Sequence, residues 1–197
     1  MNSPDGICFC PSTNKVLFLD TVATRLYQID PSTNTITGSL IDSQLNKNRL
    51  CYCPLNDRLY VGYQGGNWFV VNPHTLTIET SISGSTANGP ITYCPSNERI
   101  YAFYTSGSII VINPSNNTIE RTISCGNATS ITYYPVLDRI YITTSGDQMF
   151  CLNPQTNIIN NTISIVAHPQ GSVYIPSNDR LYVVTHDANT ITSYFCT

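Results

Sequence analysis

The chain has 197 residues, of which only 11% are charged, and its formal net charge is −3. This length suits one domain, and the scarcity of Lys and Arg argues against a nucleic-acid groove, which needs a dense basic surface. No apolar run approaches the ~20 residues that a membrane helix requires, and Met1 to Gly6 is too short and polar to be expected to act as a secretory leader.

Laid against itself, the chain resolves into copies of one motif with a step of roughly 40 residues, the mark of a repeat architecture. Repeat one, residues 7–49, opens with ICFCPSTNKVLFLD and carries the second marker Asp30-Pro31. It ends in the longest link of its kind, Asp42 to Arg49. Repeat two, residues 50–90, opens with LCYCPLNDRLYVGY and carries Asn72-Pro73 and the one tryptophan, Trp68.

Repeat three, residues 91–130, is the fullest copy. Its first run, Ile91 to Pro95, is apolar on both alternating sets, as a strand buried on both faces should be. Ser96-Asn97-Glu98 reads as a turn. Arg99 to Tyr104 is rich in aromatic and β-branched residues and reads as a second strand. Ile109 to Ile112 is a third, stopped by Asn113-Pro114, because proline cannot donate to a ladder. Asn117 to Ile123 alternates polar and apolar, as a half-exposed outer strand does. Repeat four, residues 131–171, has the same parts. Repeat five, residues 172–197, supplies three strands and stops before a fourth.

Four short antiparallel strands per ~40 residues make one blade of a β-propeller. The expected fold is therefore all-β and essentially without helix: one propeller domain over residues 1–197, five repeats, the last lacking its fourth strand. A free sheet edge leaves backbone groups unpaired, and the six residues before Ile7 make a poor strand with which to fill it. Four readings stay open: a ring with a three-stranded last blade, a chain that runs on, an edge covered by a neighbouring molecule, or a fragment of a longer, seven-bladed propeller.

The run RIYAFYTSGSIIVINPSNNTIERTI resembles the YVTN-type β-propeller repeat, over nearly the whole chain from Ile7 to Phe195. It departs from that pattern in its strand-one cysteines and in Asn-Pro where Asp-Thr is usual. The resemblance implies a scaffold and assigns no activity.

Function on such a scaffold is expected in its loops. The links from strand four to strand one and from strand two to strand three share a rim. The residues there that could bind something are Gln64, Trp68, Asp147, His168, His186 and Asp187. His168, His186 and Asp187 form the one group that could suggest metal or acid–base work, but they do not stand at a spacing that marks a metal site. No GxSxG, HExxH or phosphate-loop motif is present. The expectation is no cofactor, no catalytic residue and no metal. The acidic–Arg doublets Asp57-Arg58, Glu98-Arg99, Asp138-Arg139 and Asp179-Arg180 read as turn chemistry with exposed ion pairs. Cys10, Cys53 and Cys94 share a repeat position with Tyr134 and Ile175, which reads as core rather than as a metal site. Eight cysteines permit disulfides without specifying any.

Asn116, Asn127 and Asn160 begin N-glycosylation triplets. These features favour a non-enzymatic structural or binding module, extracellular or on a cell or virion surface. Its expected partner is a protein, a glycan or a second copy of itself, with no nucleic acid and no membrane insertion. The alternatives are a lactonase- or lyase-type propeller enzyme with a rim metal and a glycan-binding lectin.

Overall fold

A computed structural model describes residues 4–20, 22–43, 45, 49–62, 67–83, 89–104, 107–165 and 168–194. Two turn chemistries, supplied again by successive repeats, set its local structure. At the first turn, Asn14, Asp57, Glu98, Asp138 and Asp179 hold the left-handed conformation, with φ between 51 and 56°. Asn and Asp tolerate that region best among residues with a Cβ. At the second, Oδ1 of Asp30, Asn72, Asn113 and Asn153 accepts the backbone N–H two residues on, at 2.8–2.9 Å. This Asx turn is the physical content of the repeated Asp/Asn-Pro marker. Asn34, Leu76, Asn117 and Asn157 end it with φ between 53 and 58°.

These turns space short antiparallel strands. Blade one contains β1 (Pro4–Cys10), β2 (Lys15–Asp20), β3 (Arg25–Asp30) and β4 (Thr35–Ile41). Blade two contains β5 (Leu50–Cys53), β6 (Arg58–Gly62), β7 (Asn67–Asn72) and β8 (Thr77–Ser83). Blade three contains β9 (Ile91–Cys94), β10 (Arg99–Tyr104), β11 (Ser108–Asn113) and β12 (Thr118–Ser124). Blade four contains β13 (Ala128–Tyr134), β14 (Arg139–Thr144), β15 (Gln148–Asn153) and β16 (Ile158–Ser164). Blade five contains β17 (Pro169–Ile175), β18 (Arg180–Thr185) and β19 (Thr190–Tyr194). Strand order within every sheet is sequential. The fold is thus the all-β propeller that the repeat predicts, with a three-stranded fifth blade and no helix among the described residues.

The chain forms two compact units, Met1–Gly89 with Asn113–Ile119, and Pro90–Ile112 with Glu120–Thr197. In the first, Cys10, Leu17 and Leu19 of blade one meet Leu50, Leu59 and Val61 of blade two in one buried cluster. In the second, Tyr101 and Val111 meet Ile131 and Ile142, while Tyr134 and Tyr141 meet Leu181 and Val183. Cys10, Cys53 and Cys94 have no exposed surface. Cys8, Cys10, Cys94, Cys125 and Cys151 carry free thiols. Burial pushes the Cys8 thiol up to about 11 and the Cys125 thiol up to about 12.

Two strand features escape a period-two reading. The residues before Ile7 do form strand: β1 starts at Pro4 and passes a bulge between Asp5 and Ile7, where Gly6 takes φ 61°. The same irregularity lengthens β13 between Ala128 and Ser130, and β17 between Pro169 and Gly171. A bulge inserts one residue and so breaks the alternation that reveals a strand. A second bulge interrupts the outer strand of blades one, two and four, at Thr37, Glu79 and Asn160.

The acidic–Arg doublets lie at the first turn and take part in solvent-exposed ion pairs. Arg58 bonds Glu79 and Arg99 bonds Glu120, across their own blades. The neighbouring acids turn away: Asp57 accepts the Ser12 hydroxyl, Asp138 accepts Ser96, and Asp179 accepts Tyr134 at 2.6 Å. Arg58, Arg99 and Arg139 still donate to the backbone carbonyl of the acid beside them, at 2.9, 3.3 and 2.8 Å, so each closes its own left-handed turn.

Candidate functional site

Among the described residues, two polar constellations stand out. The first is on the rim at blades four and five. The β14–β15 turn carries Asp147, the residue before β17 is His168, and the β18–β19 turn carries His186 and Asp187. Asp147 Oδ1 accepts the His168 backbone N–H at 2.9 Å, and the His186 N–H donates to the His168 carbonyl at 3.0 Å. These bonds bring both imidazoles onto one carboxylate. His168 Nδ1 donates to Asp187 Oδ2, and His186 Nδ1 donates to Asp187 Oδ1 at 2.8 Å. A carboxylate only accepts, so each Nδ1 must carry its proton. The hydrogen bond to Asp187 raises the His168 pKa above its ordinary value. Bonds from His186 and then His168 lower that of Asp187.

Sequence spacing therefore picked four residues that the fold assembles. Their chemistry is limited by solvent: side-chain exposure is 52% for His168, 51% for Asp187 and 74% for His186. Water screens such pairs, and tuned acid–base work needs a drier setting. No group of three or more His, Cys, Asp or Glu among the described residues has the geometry to hold a metal ion.

The remaining rim residues behave differently. Trp68 is fully buried in β7, between Gly62 and Ile82 of the flanking strands, and its indole Nε1 has no acceptor among the described residues. It packs blade two instead of presenting a surface to a ligand. Gln64 lies outside the described residues. Asn116, Asn127 and Asn160 are all exposed. His74, which no motif marks, bonds Asp57 at 2.7 Å.

The second constellation is a clamp between successive blades. In blade two, Asn56 Nδ2 donates to the Tyr60 hydroxyl at 2.9 Å and to the Pro114 carbonyl at 2.8 Å. The Tyr60 hydroxyl donates to Asn117 Oδ1 at 2.6 Å. Blade three repeats this with Asn97, Tyr101, Pro154 and Asn157 at 2.8, 2.8 and 2.6 Å. One blade thus supplies an Asn and a Tyr spaced four apart, and the next supplies a carbonyl and an amide from its Asx turn. Burial raises the pKa of both tyrosines, so they stay neutral donors. Sequence reading missed the clamp because Asn in a turn and Tyr in a strand each have an ordinary local reason.

Fold and repeat together define a β-propeller repeat protein. A solved chain described as Kuenenia stuttgartiensis hydrazine synthase shares that fold, with a TM-score of 0.75 at 15% identity. The match covers 93% of this chain and 55% of that one, so this chain spans about half its length. Similarity at this level of identity establishes the fold alone. No protein-family model matches the chain, and no curated protein sequence does.

Proposed function

We propose that this protein is a non-enzymatic β-propeller binding module, of YVTN type in its repeat, that works at an extracellular, cell or virion surface. The observation that carries this reading is the face of blade five. Val173, Val184 and Ile191 are 53%, 46% and 68% exposed and line one apolar groove of about 520 Å³. A contiguous apolar face on a scaffold marks an interaction surface more often than a reaction centre. Low charge, polar uncharged loops and exposed Asn116, Asn127 and Asn160 support placement outside the cell, with glycan or protein as partner. Strand or blade addition to a second copy belongs to the same reading.

The pair of imidazoles on Asp187 favours a second reading, a lactonase- or lyase-type enzyme. One experiment separates the two. Lactone hydrolysis and lyase turnover are assayed with purified chain, with elemental analysis of the same sample. The binding-module reading expects neither turnover nor stoichiometric metal. Turnover that His186→Ala abolishes would replace it with the enzyme reading.

A further inference from the structure

The clamp described above has unmatched halves, and they fit each other. Three blades carry the Asn-and-Tyr half: Asn56/Tyr60, Asn97/Tyr101 and Asn178/Tyr182. Three Asx turns end in the matching Asn: Asn34, Asn117 and Asn157, all left-handed with φ of 56, 58 and 57°. Blades two and three engage the turns at Asn117 and Asn157. Blade one has Thr13 and Leu17 at the clamp positions, and the turn it faces ends in Leu76 instead of Asn. Here Gln28 Nε2 donates to the Pro73 carbonyl at 3.1 Å instead. Donor and acceptor are therefore present together or absent together at each of these junctions. What remains is the donor half of blade five and the acceptor half of blade one.

The donor half is already assembled: Asn178 Nδ2 donates to the Tyr182 hydroxyl at 2.8 Å, as in the engaged copies. Around it lies the apolar groove of Val173, Ile175, Tyr182, Val184 and Ile191. The acceptor half stands in the open. Pro31 and Asn34 are exposed, whereas Pro73, Pro114 and Pro154 are buried. Beside them Ile7, Phe9 and Ile36 are 73%, 50% and 49% exposed. Their counterparts one repeat on, Leu50, Tyr52 and Ile78, pack into the buried cluster that blades one and two share. Both surfaces have the composition of a blade–blade junction with one side missing.

We infer that blade five of one molecule takes blade one of a second copy, head to tail, through Asn178 and Tyr182 on the Asp30–Asn34 turn. Asn178 Nδ2 donates to the Pro31 carbonyl and the Tyr182 hydroxyl to Asn34 Oδ1. Ile7, Phe9 and Ile36 fill the groove. A heterologous contact of this kind extends unless its rotation closes a ring. The inference rests on the binding-module reading and names its partner.

The test is sedimentation velocity on the full chain over a concentration series, with two kinds of variant. Phe9→Asp spoils the blade-one face and Val184→Asp the blade-five face. Both side chains are about half-exposed in a single copy, so neither change disturbs the fold. Wild type is expected to grow with concentration. Each variant alone stays monomeric, and their equimolar mixture forms a heterodimer that goes no further. Tyr182→Phe and Asn34→Gly, which remove hydrogen bonds only, each weaken association about 5- to 10-fold. Three results would overturn the inference: a wild-type monomer at every concentration, a mixture that stays monomeric, or association indifferent to Tyr182→Phe. Lactone turnover with self-association intact would instead sink the non-enzymatic reading and leave this contact standing.

Discussion

The clamp predicts a measurable coupling between residues 56 positions apart. Tyr101 has no exposed surface, and its hydroxyl donates to Asn157 Oδ1 at 2.6 Å and accepts from Asn97 at 2.8 Å. In Tyr101→Phe both bonds go, together with the longer contact from the hydroxyl to the Pro154 carbonyl at 3.3 Å. Asn97 Nδ2 keeps the Pro154 carbonyl at 2.8 Å, and Asn157 is half-buried, so water reaches its freed oxygen. The cost is therefore that of one net hydrogen bond with partial rescue, about 1–2 kcal/mol. Asn157→Gly is the right partner change, because Gly accepts φ 57° without strain and only the amide is lost. In urea titrations followed by circular dichroism, the double variant should be less destabilised than the sum of the singles by about 1 kcal/mol. The cycle of Tyr60→Phe with Asn117→Gly in the other unit should give the same coupling, since the geometry is the same. Tyr182→Phe in dilute solution should cost less than about 0.5 kcal/mol, because only the intrablade bond from Asn178 is lost. Singles that simply add within about 0.3–0.5 kcal/mol would refute the claim that the clamp joins blades.

Three further outcomes follow. Trp68→Ala should destabilise by about 3–5 kcal/mol as a buried cavity, whereas Trp68→Phe should cost far less, because it also removes the unpartnered Nε1, a comparison made by denaturant unfolding. In NMR titrations of the imidazole C–H signals, His168 should titrate above its ordinary 6.5 and return toward it in Asp187→Asn. His168 contributes below pH 6.5 and loses its contribution as pH rises through its raised folded value. Asp187 contributes above 3.8 and loses its contribution as pH falls through its lowered one, so the pair is most favourable between those pH values. Peptide-level thiol labelling at pH 8 should leave Cys94 and Cys125 unmodified until denaturant is added, since both are buried and their thiolates disfavoured.

The fold was readable because the repeat restates its own turn chemistry. Pro95 to Arg99 can be compared with four other copies, and a position that holds Cys10, Cys53, Cys94, Tyr134 and Ile175 can only be packed interior or its edge. Hidden were the features in which one copy answers another. The bulge at Gly6 inserts a residue and scrambles alternation, so Pro4 and Asp5 look like a tail instead of strand. Glu120 reads as outer-strand polarity, yet it is the partner of Arg99 twenty-one residues away. At the rim, His168 and His186 gave a true neighbour relation from topology alone, because links between blades and links within them share one edge. Trp68 was misjudged for a local reason: the preceding Gln64 to Asn67 looks like a loop, but the indole belongs to β7 and turns inward.

The polar contacts between blades also explain how repeats of one pattern keep their order. Apolar packing distinguishes one blade from another poorly, because residues of similar apolar character recur at matching positions in most copies. Hydrogen-bond halves do so better. A clamp facing Leu76 would leave its Tyr hydroxyl without the amide acceptor, and Asn117 facing Leu17 would lose its donor, each at about 1–3 kcal/mol if buried. The Ser12–Asp57 and Ser96–Asp138 bonds add a second key, absent where Leu55 and Val136 take the serine's place. Misregistered pairing by one repeat therefore sacrifices polar bonds while keeping hydrophobic area, which is how a repeat chain discriminates against its own alternatives. The same rule that orders blades within the chain selects blade one as the surface that completes blade five.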